Sequence, residues 1–77
     1  GVMTIYQVWD YDPMASSMGG NYCAATFREQ TEAFAECERR NVEWREHFIK
    51  IARCGEQRAD LEPWNWRYAY IREGELL

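Results

Sequence analysis

A change in the spacing of apolar residues is the feature that most constrains how this chain folds. Between residues 28 and 54, large apolar side chains recur at intervals of three or four, which places them on one face of a helix. The segments before and after this stretch lack that spacing, and in the last of them aromatic residues occupy every second position, as in a strand. The sequence therefore predicts an α+β fold in which one long helix follows two strands and precedes a third. The helical stripe comprises Phe34, Cys37, Asn41, Trp44, Phe48 and Ile51.

The helical segment has the charge pattern and the terminal residue expected of a single helix. Acidic Glu29 and Glu32 lie near its start and basic residues lie near its end, as the helix dipole favours. Gly55 follows directly and is expected to form a C-terminal cap. The alternative is two shorter helices that break at the polar pair Arg40 and Asn41, with Asn41 capping the second helix. We expect the single helix.

Three segments predict strands. Residues 3–11, MTIYQVWDY, are apolar on both parities and predict a central strand. Residues 21–27, NYCAATF, predict a second strand after a loop of small residues over 12–20. Residues 64–73, WNWRYAYIRE, alternate most clearly and predict the third strand, which follows a polar connection over 55–63.

The order strand, strand, helix, strand restricts the sheet topology. A right-handed crossover through the helix returns the third strand beside the first and antiparallel to it. The predicted fold is a small three-stranded antiparallel sheet of order 2-1-3 (ββαβ), with one long helix packed on one face. Gly19 and Gly20 are expected to turn the chain into the second strand, because glycine adopts positive φ without strain.

The chain ends and the cysteines add further expectations. We expect residues 1–2 to be a remnant of cloning, residues 3–77 to form one domain, and residues 74–77 to fray. Three cysteines without close spacing predict free thiols and a cytoplasmic location, with Cys23 and Cys37 as small buried residues. No apolar run approaches the ~18 residues of a membrane span, so we expect no membrane partner.

The cysteine, histidine and glutamate residues, which are the types that bind metals or catalyse reactions in other proteins, form no convincing site in this sequence. Cys37, His47 and Cys54 fall in one predicted helix, too far apart along its axis to bind a single ion. Glu43 and Glu46 lie beside His47, but a metalloprotease helix needs a second histidine, and the chain has one. The sequence therefore predicts no metal, no cofactor and no enzymatic activity.

The charge balance points to protein partners. Nine basic and thirteen acidic residues give a formal net charge of -4. Nucleic acid binding draws much of its affinity from lysine and arginine contacts with phosphates, so this balance disfavours direct nucleic acid binding. An acidic surface instead suits a partner with a basic surface, such as a host protein that itself binds nucleic acid.

Aromatic residues concentrate in the predicted strands and provide the main functional signal. One helix covers only one face of a three-stranded sheet, and the last strand places four aromatic residues on one parity. If that parity faces the helix, the rings form the core. If it faces away, they form an apolar patch that marks a protein interface or, with cationic groups, a base-stacking platform. The four residues are Trp64, Trp66, Tyr68 and Tyr70.

These observations favour a non-enzymatic protein-protein interaction module that binds a host protein through acidic and aromatic surface. The layout, a short acidic strand-strand-helix-strand chain, resembles that of small proteins of phages and mobile elements, including some anti-CRISPR inhibitors. The resemblance concerns layout alone and assigns no functional residue. Five acidic residues are expected to line the acidic side and to imitate nucleic acid phosphates: Glu29, Glu32, Glu36, Glu43 and Glu46.

Two alternatives stay open. One is a homodimeric structural or regulatory module, in which the aromatic sheet face or an edge strand pairs with a second copy. The other is a binder of single-stranded nucleic acid or of a small ligand.

Overall fold

The computed structural model describes residues 2–55 and 62–76, with their side chains except those of residues 16–18 and 64. In chain order it contains strand β1 (Met3–Tyr11), a 3-10 helix (Pro13–Met18), strand β2 (Asn21–Phe27), helix α1 (Gln30–Ala52), a second 3-10 helix (Pro63–Asn65) and strand β3 (Tyr68–Leu76). The predicted α+β class and the predicted bounds of the first two strands are confirmed.

The central strand of the sheet is β1, because the strand order is β2-β1-β3 and both neighbours run antiparallel to it. This confirms the predicted topology. Val8 in the middle of β1 is completely buried and pairs with Ala25 of β2 and Ile71 of β3. A strand with apolar groups on both faces is stable in this position, since it has a neighbour on each edge.

The helix α1 is continuous over 23 residues, so the alternative of a break at Arg40 and Asn41 is wrong. Asn41 caps no helix; it faces the sheet and bonds to Ala69, as described below. At the other end, Gly55 has a φ of 79°, in the left-handed region that glycine enters freely. The prediction that Gly55 caps the helix is nevertheless wrong, because α1 ends at Ala52 with Arg53 as its C-cap, and Gly55 belongs to the turn that follows.

The third strand begins four residues later than predicted. Pro63 begins a 3-10 helix, in which the N–H of Asn65 donates to the carbonyl of Glu62 at 2.8 Å. Proline fixes φ and has no N–H to donate to a sheet, so the chain turns here before it extends. Trp66 therefore precedes β3, although the residues around it alternate as in a strand. Residues 74–76, which were expected to fray, pair with the start of β1.

The core between α1 and the sheet is small. Val8, Ala33 and Ala69 are buried and in contact, and the two alanines let helix and sheet approach closely. Further along α1, Phe48 is also buried. The prediction that Phe34 belongs to the buried stripe is wrong, because its side chain is 54% exposed. One helical step separates it from Ala33 by about 100°, and Ala33 is the residue that faces the sheet.

The connection between β1 and β2 is more ordered than the predicted loop, since it contains the 3-10 helix Pro13–Met18. Gly19 has a φ of 76°, and a Cβ on Gly20 would come within 2.6 Å of the carbonyl oxygen of Asp12. Both glycines are thus required by the turn. The polar connection predicted over 55–63 lies mostly outside the described residues. In the described part of the chain, no helix is both long and apolar enough to cross a membrane.

The three thiols differ in exposure. Cys23 is exposed, which corrects the prediction that it is buried; Cys54 is exposed, and Cys37 is half-buried. Burial raises the pKa of the Cys37 thiol, and the nearby Asp10 carboxylate raises it further. Because the thiolate is the reactive form, a thiol that is covered and has a raised pKa reacts slowly.

We therefore expect iodoacetamide at mildly alkaline pH to modify Cys23 and Cys54 at least about tenfold faster than Cys37. Mass spectrometry of peptides at successive times measures the three rates. In denaturant the rates are expected to converge, which controls for the reagent. Equal rates in the folded protein would contradict the burial of Cys37.

Candidate functional site

The sheet face turned away from α1, called the outer face below, collects the aromatic side chains of the strands. Val8 and Ala69 contact the helix, so the alternate positions of β1 and β3 point to the other side. On that side Tyr11 lies opposite Tyr68, and Trp9 lies opposite Tyr70. The outer face comprises Ile5, Gln7, Trp9 and Tyr11 of β1, Asn21, Cys23 and Thr26 of β2, and Tyr68, Tyr70 and Arg72 of β3.

The rings of the outer face form a continuous row with one cation inside it. The guanidinium carbon of Arg72 lies 4.4 Å from the ring centroid of Trp9 and 5.4 Å from that of Tyr70. Tyr68 contacts Tyr70 at 6.2 Å and meets Tyr11 edge-on at 5.4 Å, measured between centroids. These cation–π and edge contacts are the arrangements that aromatic groups favour. The row is therefore packed from end to end.

The polar atoms of these rings bond within the outer face. The indole Nε1 of Trp9 donates to Oε1 of Gln7 at 3.2 Å, and the hydroxyl of Tyr70 donates to Oδ1 of Asn21 at 2.6 Å. The second bond reaches across the sheet from β3 to β2. Rings that are fixed in this way lose little conformational entropy when a partner covers them.

The outer face contains no acidic strand residue. The sheet has three acidic residues, Asp10, Glu73 and Glu75, and all of them lie on the helix side. Among the residues that the structure describes, Arg72 is the sole charged residue of the outer face. The acidic side chains of the strands are thus kept away from this surface.

The four aromatic residues predicted from the last strand lie in different places. Tyr68, 45% exposed, and the half-buried Tyr70 belong to the outer face. Trp66 instead stacks on Phe48 of α1, with 5.7 Å between ring centroids and 8° between ring planes. It therefore supports the far end of the helix. The side chain of Trp64 lies outside the described part of the chain.

Two aromatic residues of the outer face were not among the predicted site residues. Trp9 and Tyr11 come from β1 and complete the row with Tyr68 and Tyr70. A signal for them was present, because both have the same parity in a strand predicted to lie beside the third. The missing information was the register, which depends on where β3 begins.

The acidic residues predicted on the helix are partly paired within it. Arg39 donates to Glu43 at 2.6 Å and through two nitrogens to Glu36. Hydrogen bonds from Arg39 hold the pKa of Glu36 below its ordinary value. As α1 has five acidic and four basic residues, the helix as a whole is nearly neutral. Of the five predicted residues Glu29, Glu32, Glu36, Glu43 and Glu46, all are exposed except Glu36, which is half-buried.

A buried ion pair joins α1 to the central strand. Asp10 of β1 is 2% exposed, and one of its carboxylate oxygens accepts a hydrogen bond from Nη1 of Arg40 at 2.7 Å. Nε of Arg40 lies 3.4 Å from the carboxylate of Glu36. On β2, hydrogen bonding to Asp10 raises the pKa of the Tyr22 hydroxyl, and burial raises it further. The pair thus connects the helix with two strands.

The side chain of Asn41 binds the free edge of β3. Its Nδ2 donates to the carbonyl of Ala69 at 3.0 Å, and its Oδ1 accepts from the N–H of Ala69 at 2.7 Å. Both backbone groups of Ala69 therefore point away from β1. This contact explains why an asparagine lies within an apolar stripe. Its amide group makes the two hydrogen bonds that a neighbouring strand would otherwise make with the backbone of Ala69.

The cluster that resembled an acid-base site is occupied by structural contacts. Glu43 is turned toward Arg39, and His47 lies edge-on against Trp44 and Phe48, with centroid distances of 5.9 and 5.3 Å. Among the described residues, no three histidine, cysteine or acidic side chains lie close enough together to bind a metal ion.

A cavity of about 220 Å³ lies where β1, β2 and α1 meet, beside the turn at Gly19. Two carboxylates line it, and each has an arginine as its ionic partner. Asp10 pairs with Arg40, and Asp12 accepts from Nε of Arg67 at 3.0 Å and from the N–H of Met14 at 3.0 Å. The cavity therefore offers a ligand apolar walls rather than a free charge.

Comparison of the chain with protein-family models, with curated proteins and with solved structures finds no match.

Proposed function

We propose that this protein is a non-enzymatic protein-binding module whose main binding surface is the outer face. The observation that carries the proposal is the row of Trp9, Tyr11, Tyr68 and Tyr70, which lies on the side of the sheet that α1 leaves uncovered. Tryptophan, tyrosine and arginine are the residues that contribute most to binding energy at protein interfaces, and the row contains all three types.

The state of the rings supports this proposal. Each indole or hydroxyl bond noted above is made inside the outer face, so docking of a partner breaks none of them. The acid-free character of the face also avoids burial of an unpaired carboxylate, which is costly in any interface. A partner therefore gains apolar contact area without a large desolvation penalty.

The partner that suits this protein best is a host protein with a basic surface. More specifically, we propose that the protein itself is an inhibitor from a phage or mobile element, as anti-CRISPR proteins are. Exposed Glu29, Glu32 and Glu46 support the acidic part of this proposal. Arg39 weakens it as an imitation of phosphate, because its single positive charge offsets one of the two charges of Glu36 and Glu43. Acidic attraction then steers the encounter, and the outer face supplies the affinity.

The experiment compares capture by the wild-type protein with capture by Tyr68→Glu, which adds one charge to the outer face. We expect the partner retained from a lysate of the source host to bind Tyr68→Glu at least about tenfold more weakly, as removal of an interface hot spot does. The matched control is Phe34→Glu, because Phe34 is an exposed aromatic residue of the helix. Affinities are measured on the purified partner.

Retention of the partner by Tyr68→Glu, or equal loss in both variants, would contradict binding through the outer face. Circular dichroism of each variant establishes that the fold is retained.

Self-association is a second candidate, favoured by the same acid-free surface. Two copies that meet through their outer faces bring no strand carboxylates together, although each chain has a formal net charge of -4. Sedimentation of wild type and Tyr68→Glu separates the candidates, because a dimer through this face dissociates in the variant. Binding of single-stranded nucleic acid is less well supported, since Arg72 is the one cation of the face in the described part of the chain.

A further inference from the structure

The two edges of the sheet differ in how they are protected. At the β3 edge, Asn41 covers Ala69, and Glu73 and Glu75 follow along the strand. At the other edge, Asn21–Phe27 contains neither a charged residue nor a proline. Exposed edges normally carry such residues, because unpaired backbone groups recruit further strands. The one irregularity of β2 is an extra residue opposite the step from Val8 to Trp9.

The pairing pattern identifies which groups of β2 are available. The backbone groups of Ala69 point away from β1, so those of its partner Asp10 point toward β2. Because the direction of the backbone groups alternates along a strand, the N–H and carbonyl of Val8 also point toward β2, where Ala25 is the partner of Val8. The next residue, Thr26, therefore directs its N–H and carbonyl to the open edge.

One flank of α1 lies above this edge. Asn41 reaches toward β3 and Arg40 reaches Asp10 in the central strand, so the positions on the far side of Arg40 overhang β2. The acidic residues there are Glu32, Glu36 and Glu43, with Glu29 at the start of the helix, and Arg39 is the basic residue among them. We call this set the acidic flank.

We infer that β2 binds an extended, basic segment of the partner protein, which adds to the sheet as a fourth strand. Backbone hydrogen bonds to the edge supply affinity, and side chains on alternate positions of the segment supply specificity. Lysine or arginine on one parity meets the acidic flank, while uncharged residues on the other parity extend the outer face. The inference rests on the proposed protein-binding function and identifies the partner chemistry.

The test uses two labelled nine-residue peptides of the same composition, five lysines and four threonines. In one the two residues alternate, so all lysines share a face; in the other the lysines form one block. We expect the alternating peptide to bind at least about fivefold more tightly, because only it can direct every lysine to the acidic flank. Fluorescence anisotropy at low salt measures both affinities, and amide chemical shifts locate the site at Cys23 and Thr26.

Matched variants test the charge contribution. Glu32→Gln combined with Glu43→Gln removes two charges from the acidic flank, and we expect the alternating peptide to bind at least about fivefold more weakly. Glu38→Gln combined with Glu75→Gln removes two exposed charges from the β3 side of the molecule and is expected to change the affinity by less than about twofold. Both pairs change the net charge equally.

A backbone variant tests strand addition itself. Thr26→Pro removes an N–H that points to the open edge, so peptide binding is expected to be lost while thermal unfolding remains cooperative. Equal affinity for the two peptides, no binding at millimolar peptide, or shifts at the β3 edge or the outer face would overturn the inference. The inference would also be overturned if the edge amides of β2 were protected from hydrogen exchange in the protein alone, because β2 would then pair with a second copy of the chain. Because these measurements use peptides and β2, they fail or succeed separately from the Tyr68→Glu capture experiment.

Discussion

Replacement of Arg40 by methionine is expected to lower the free energy of unfolding by about 3 kcal/mol, the lower end of the range for loss of one partner of a buried ion pair. The reason is that the carboxyl group of Asp10, 2% exposed, loses the guanidinium that lies 2.7 Å away and is left buried without an ionic partner. A domain of this length is stable by roughly 4 to 12 kcal/mol, so the loss is a large fraction of the total. Urea unfolding followed by tryptophan fluorescence measures the change.

The neighbouring arginine provides the control. Arg39 pairs with two carboxylates, as many as Arg40 does, but its side chain is 51% exposed. Solvent and salt screen such pairs, so Arg39→Met is expected to leave the unfolding midpoint close to that of the wild type. Equal destabilisation by the two substitutions would show that the number of ion pairs, rather than burial, determines their contribution.

The partner of Arg40 supplies a further check. Asp10→Val combined with Arg40→Met removes both charges, and apolar replacement of a complete buried pair is often close to neutral. We therefore expect the double variant to be more stable than Arg40→Met alone. A double variant that is less stable would contradict the explanation by an uncompensated carboxylate.

Replacement of Asn41 by alanine is expected to lower the free energy of unfolding by about 2 kcal/mol, the cost of leaving buried polar groups unsatisfied. Asn41 satisfies both backbone groups of Ala69, which is 5% exposed. The better helix propensity of alanine offsets part of this loss. Urea unfolding measures the change in stability, and hydrogen exchange measures the local effect at the Ala69 amide.

Local exchange distinguishes this role from a general loss of stability. In Asn41→Ala the Ala69 amide is expected to exchange faster, whereas the Tyr70 amide, which points toward β1, stays protected. Glu38→Ala serves as the control, because Glu38 is an exposed position of the same helix. An unchanged Ala69 amide in Asn41→Ala would refute the edge contact.

Much of the fold could be predicted because its signals are local. The apolar residues on both parities of 3–11, the loop of small residues before 21–27 and the helical spacing over 28–54 are each signals within a single segment. The sheet order then follows from the handedness of the crossover. The exceptions involve contacts between elements. Asn41 was expected in the stripe or as a cap, but its role depends on the backbone of Ala69, 28 residues further along the chain.

The start of β3 was mispredicted for a similar reason. Trp64, Asn65 and Trp66 alternate like a strand, but Pro63 begins a 3-10 helix and Trp66 finds its partner in Phe48. A segment with alternating residue types can therefore adopt a 3-10 helix instead of a strand when a tertiary contact favours the helix. This shift of four residues also changed which aromatic side chains belong to the candidate site.

The sequence by itself determined the set of elements and their order, because periodicity and chain handedness are properties of short segments. The tertiary structure alone decided which parity of β3 faces the helix, since both parities contain apolar residues. Ala69 faces α1 and meets Ala33, and close approach of helix and sheet requires side chains this small. Tyr68 and Tyr70 are too large for that contact, and they therefore lie on the outer face.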